Sequence, residues 1–161
     1  GRRGSGGACR GRRRVVSSVA EIESLNQEFY AAIEGADLDR MEKIWAEDTG
    51  DRVAVCVHPG WSMLTGRREI MRSWALIMAN TPYIQFVLTD VRTSVVGEVA
   101  VVCCAENILT AGDEGETGFV AGKVVATNTF VLTPRGWRLW MHHGSPVLQS
   151  EEDDEDGQEV L

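Results

Sequence analysis

Apolar residues recur at helical spacing in three stretches, and from residue 84 onward the pattern changes to alternation. Ile22, Leu25, Phe29 and Ile33 form the first stripe, the three-to-four spacing of an amphipathic helix. Ser18 followed three residues later by Glu21 has the form of a capping box. It predicts a helix from about Ser18 to Gly35. Asp37 is placed to cap a second helix with Leu38, Met41 and Trp45 on its apolar face, fading at Glu47–Gly50. Val53–Val57 reads as a short β-branched strand stopped by Pro59–Gly60, and Trp61–Leu64 as a loop. A third helix is expected from Thr65–Gly66, carrying Ile70, Trp74 and Ile77 and ending at Asn80–Pro82, since the residue before proline is pushed out of helical conformation.

The rest reads as sheet. Ile84–Val96 alternates, Gly97–Glu98 turns, and Val99–Leu109 is a strongly apolar strand. A flexible connection over Ala111–Thr117 leads to a long strand, Phe119–Leu132. Pro134–Gly136 is the tight turn before a last strand, Trp137–His143. The order α-α-β-α-β-β-β-β separates helices from sheet and predicts an α+β fold, with the four final strands forming a curled antiparallel sheet.

At 161 residues, 43% apolar and 25% charged, the chain has the size and composition of one soluble domain. It contains no apolar run near the roughly 18 residues of a membrane span. The net charge of −8 is unevenly spread: residues 1–14 hold six arginines and no acid, and 151–161 hold seven acids and no base. Such blocks cannot bury enough apolar area to offset ordering, so 1–17 and 149–161 are expected to be disordered tails flanking a domain at 18–148. The middle stays acidic, which argues against a nucleic-acid partner. The Arg-rich start fits either an ordinary basic arm or the remnant of a transit peptide. Localisation is therefore expected to be soluble and intracellular, in cytoplasm or plastid.

Cysteine usage suggests neither disulfides nor zinc. Cys103 and Cys104 are neighbours pointing to opposite faces of a strand, and no C-x-x-C occurs. The phosphate-loop, dinucleotide, H-E-x-x-H and G-x-S-x-G patterns are also missing. No cofactor or metal is expected.

The chain resembles the SnoaL-like branch of the nuclear transport factor 2-like superfamily, related to ketosteroid isomerase and to the association domain of calmodulin-dependent kinase. The resemblance spans most of 18–147. It rests on Phe29-Tyr30-Ala31-Ala32 with Gly35–Asp39, Val57-His58-Pro59-Gly60-Trp61, Gly66-Arg67 with Ser73-Trp74, Ala126–Phe130, and Gly136–Arg138 leading to His142–Pro146. It implies a cone-shaped, cystatin-like roll with a pocket between helix one and the concave sheet, and a homodimer formed through the sheet's outer face. In the comparison with ketosteroid isomerase, His58 takes the place of the catalytic aspartate and Asn128 that of the protonated aspartate. Phe29 replaces the tyrosine, with Tyr30 about 100° further around the helix. That enzyme's own machinery is therefore absent.

The candidate site follows. His58 is positioned as acid or base, because imidazole titrates near neutrality; otherwise it only braces its loop. Asn128 interrupts a β-branched run and either polarises a substrate oxygen or ties strands together. Tyr30, Trp61 and Trp74 are placed to line an apolar pocket, although the spacing of Trp74 suits core equally well. Glu106 stands in an apolar strand, either paired with Arg92 or Arg138 or reaching the pocket with a raised pKa. A regular final hairpin sets Asn128 opposite Met141, which puts His143 in the pocket and His142 outside, and a slip of one residue in register would exchange the two. The functional expectation is a small-molecule-binding domain, in its enzymatic version a cofactor-free isomerase or hydratase acting on a small apolar substrate. The alternative is a non-catalytic dimerisation or association module.

Overall fold

The computed structural model describes residues 8–112 and 118–148, with side chains from residue 18 onward. Three helices, α1 (Ala8–Glu34), α2 (Leu38–Ile44) and α3 (Arg67–Asn80), accompany six strands. These are β1 (Val55–Val57), β2 (Leu64–Thr65), β3 (Ile84–Val96), β4 (Val99–Ala111), β5 (Phe119–Thr133) and β6 (Gly136–Pro146). The architecture is α+β.

The first helix begins ten residues before the expected start, so Ser18 and Glu21 lie inside it rather than at its cap. Four of the ten added residues are arginine, a good helix former, and no proline interrupts the segment. The predicted disorder of 1–17 therefore gives way to helix from Ala8, while residues 1–7, most of the 111–117 connection and the acidic tail lie outside the described residues.

The second helix is capped as its sequence suggests, with Asp37 Oδ1 accepting from the Arg40 amide at 3.0 Å. The third takes its cap from elsewhere. Asp48 Oδ2 accepts from the Arg67 amide, and Oδ1 of the same carboxylate accepts from Ala54, each at 2.9 Å. Gly66, at φ 95°, makes the turn between them.

The strand order is β2-β1-β6-β5-β4-β3. The sheet is mixed, because β1 lies parallel to β6 while the other pairings are antiparallel. Two irregularities bend it. One lies in β3 between Thr89 and Arg92, where Asp90 adopts φ 51°; the other lies between β5 and β6. Bulges add curvature and twist, and the bent sheet packs on α1 through β3, β4 and β6. Ile22, Phe29, Met41, Trp45, Ile70, Val102, Phe130 and Leu139 make the core between them.

Candidate functional site

His58 is delivered by a local device. The segment His58-Pro59-Gly60-Trp61 is a β-turn in which the Trp61 amide donates to the His58 carbonyl at 2.9 Å, with Gly60 at φ 82°. Proline second and a positive-φ glycine third are the requirements of a type II turn. The turn brings the Trp61 ring edge-on to the imidazole at 4.8 Å. Pro59 packs so closely on β6 that a Cβ at Gly144 would stand 3.0 Å from it.

His58 is buried, with Trp74 from α3 against its other side at 4.6 Å. Its Nε2 lies 2.8 Å from Ser73 Oγ, and that hydroxyl spends its single proton on the Ile70 carbonyl at 2.7 Å. Nε2 must therefore carry the hydrogen and Nδ1 the lone pair. Burial lowers the imidazole pKa to about 4. The ring is neutral at pH 7.

A second set of polar groups lies deeper. Asn128 accepts from His142 Nδ1 at 2.5 Å, and its amide group donates to Asn26 Oδ1 at 2.8 Å and to the Tyr30 hydroxyl at 3.1 Å. Tyr30 in turn donates to Glu106 Oε2 at 2.7 Å and lies 3.5 Å from Cys104 Sγ. The six side chains of this network come from α1, β4, β5 and β6, and all are buried. Burial, followed by the neighbouring His58, lowers His142 to about 3, and burial raises Glu106 to about 7 despite the hydrogen bond from Tyr30. The Tyr30 phenol is pushed far up by burial and then by Glu106, so it stays protonated. Phe29 separates the two sets, touching Tyr30, Trp74 and His142.

These positions alter several expectations. His143 is exposed and His142 is inside, the reverse of the regular-hairpin reading. The cause is the bulge: Phe130 pairs with Leu139 but Thr129 pairs with Met141, so Trp140 is an extra residue and Asn128 falls opposite His142. Glu106 does not pair with Arg92 or Arg138; its partner is Tyr30. Asn128 has both amide hydrogens committed, so direct donation to a substrate oxygen would cost it an existing bond. Trp74 is buried between the two histidines, whereas Trp61 is 42% exposed at the rim.

Asn26 and Ser73 join the site without having been candidates from the sequence, and His142 joins it against the expectation that it faced outward. For Asn26 a signal existed, since it lies four residues after Ile22 and three before Phe29, an amide on an otherwise apolar stripe. Two surface grooves, of about 580 and 630 Å³, lie around α2 and the start of α3, and none of the buried polar residues lines either. Among the described residues no cluster of ligating side chains could hold a metal ion, and no helix is long and apolar enough to cross a membrane. Cys56, Cys103 and Cys104 are free thiols.

Comparison with known proteins bears on the family and the fold. A proposed dehydratase of the NTF2-like family from Streptomyces avermitilis is 47% identical, with a TM-score of 0.78 over 84% of this chain and 99% of that one. A proposed association domain of calcium/calmodulin-dependent protein kinase type II from Thiobacillus denitrificans is 28% identical, with a TM-score of 0.65 over 78% of this chain and 94% of that one. F-box protein SKIP8 from Arabidopsis thaliana is 25% identical over 138 residues, 86% of this chain and 54% of that protein, so the chain spans about half the length of this curated relative. The family model described as a SnoaL-like domain matches residues 22–149, and the chain belongs to that family.

Proposed function

We propose that this domain binds a small, largely apolar molecule at the rim of the cone beside His58 and catalyses cofactor-free proton transfer on it, as in isomerisation or in adding or removing water. The observation that carries this reading is the concentration of buried, hydrogen-bonded titratable groups, His58, His142 and Glu106, in an apolar interior. Burying such groups costs stability that an apolar core would not lose, and perturbed carboxyls and imidazoles in one place are the mark of acid–base sites.

His58 is the base: it is neutral at pH 7, with Nδ1 unprotonated, and Ser73 fixes the ring. Glu106, poised near 7, is a proton donor or acceptor at the working pH. Asn128 acts through its neighbours, orienting Tyr30 and His142 rather than touching the substrate. Trp61 forms the apolar flank, and a substrate reaches His58 by displacing this half-exposed ring. The likeness to a proposed dehydratase supports the same class of chemistry.

The second reading is association through the outer sheet face. It is favoured by the exposed Val87 on β3 and Val125 on β5, by the Phe29, Tyr30 and Trp74 rings that fill the concave side, and by the likeness to a proposed kinase association domain. A homodimer formed through this face is compatible with both readings.

Deuterium wash-in from D₂O into a panel of small ketones, followed by proton NMR, tests the first reading. The parent protein is expected to exchange the α-protons of at least one member, and His58→Ala to lose this by about two orders of magnitude or more, the usual contribution of a general base. Exchange that His58→Ala and Glu106→Gln leave unchanged would sink it. Native mass spectrometry of the protein from its source reports the subunit count and any retained small molecule. A dimer without ligand, together with no exchange, would favour association.

A further inference from the structure

We infer that the groove between α2, the start of α3 and the β5–β6 hairpin is a second binding site, for a small molecule carrying a carboxylate or phosphate. Its volume of about 580 Å³ falls within the range of small-molecule pockets. Five cations line it: Lys43 on α2, Arg52 ahead of β1, Arg67 at the first position of α3, and Arg135 and Arg138 on the hairpin. Asp39, Glu42 and Glu47 are the acids beside them. The groove is thus net positive on a chain whose formal charge is −8.

The guanidinium groups are incompletely used by the protein. Arg67 donates from Nη2 to the Glu42 carbonyl at 2.5 Å, but it meets the Glu42 carboxylate, as Arg135 meets that of Glu47, only at 3.7 Å, too long for a hydrogen bond. Among the described residues Lys43, Arg52 and Arg138 form no ion pair, and the Nε atoms of Arg52 and Arg67 are buried without a protein acceptor. Arg52 reaches only the Glu47 carbonyl, at 3.4 Å, and Arg138 only the Trp137 carbonyl, at 2.8 Å. Arginine is the side chain whose planar fork matches the paired oxygens of carboxylate and phosphate. Here four of them, from three separate segments, face one concavity. The carboxylates among its lining residues select against large polyanions by repulsion. None of the acid–base residues borders the groove, so this site stands apart from the proposed chemistry.

The test is isothermal titration of the full-length chain with inorganic phosphate and, separately, with citrate, at fixed ionic strength. Saturable one-to-one binding of either is expected, and which of the two binds tells phosphate from carboxylate. Arg138→Gln should weaken it about ten-fold, the size expected from losing one charge-assisted contact. Glu47→Gln should strengthen it, a direction that damage to the fold does not produce. Lys123→Gln, on an exposed part of β5 outside the groove, should leave affinity unchanged. The inference is overturned if neither anion saturates, if Glu47→Gln fails to tighten binding, or if Lys123→Gln weakens it as much as Arg138→Gln does.

Discussion

The concave interior and the arginine groove hold ionisable side chains under opposite conditions. Inside, His58, Glu106 and His142 are each only 3% exposed, and every one has a hydrogen-bond partner of ordinary or short length. In the groove the Arg135–Glu47 pair is mostly exposed and 3.7 Å apart. Burial drives the interior groups toward their neutral forms and makes each bond costly to lose. Around that pair water screens the charges, so the fold hardly depends on them and they are available to a ligand.

The largest expected effect is in the interior. Asn128→Ala removes the acceptor for His142 and the donors to Asn26 and Tyr30, and leaving those groups unmatched should cost about 3 kcal/mol in urea denaturation. A loss below about 1 kcal/mol, the range of a single net hydrogen bond, would erase the contrast between the two regions.

A pH series sharpens it further. His58 and His142 sit near 4 and 3 against an ordinary 6.5, so the unfolded chain takes up protons that the folded one refuses. The stability they contribute is complete above pH 6.5 and is lost as pH falls toward 4. Glu106, near 7 against 4.5, acts with the reverse sign, since the folded state keeps its proton and stability falls as pH rises from 4.5 to 7. Two imidazoles outweigh one carboxyl. The denaturation midpoint should therefore drop on acidification below 6.5, and Glu106→Gln should remove the opposing decline and stabilise the protein above pH 7. Superimposable curves for parent and variant would show that the carboxyl is not desolvated.

The smallest effect belongs to the groove. Arg135→Ala should change stability by no more than about 0.5 kcal/mol. A loss comparable to that of Asn128→Ala would mean that the groove's charges hold the fold together after all.

Much of the site was legible where the cause is local. The His-Pro-Gly-Trp sequence specifies its own turn, and the turn alone places Trp61 against His58. Asn128 was visible as an amide among β-branched neighbours. The partner of Glu106 was not, because it depends on which face of α1 lies over β4. The choice between His142 and His143 also escaped, since one unpaired residue reverses it. That residue, Trp140, sits where the edge of β6 away from β5 changes partner. Leu139 pairs with Trp45, Met141 with Val55, and between them the Trp140 indole donates to the Val53 carbonyl at 3.1 Å.

By itself the sequence determined three helices, four long strands, the final hairpin turn and the His58 turn, because hydrophobic period and turn chemistry act over a few residues. Register, the inward histidine, the network around Asn128 and the gathering of four arginines were decided only in the tertiary structure. Each depends on segments far apart in the chain competing for the same strand edge or the same buried volume, and no local pattern records which of them wins.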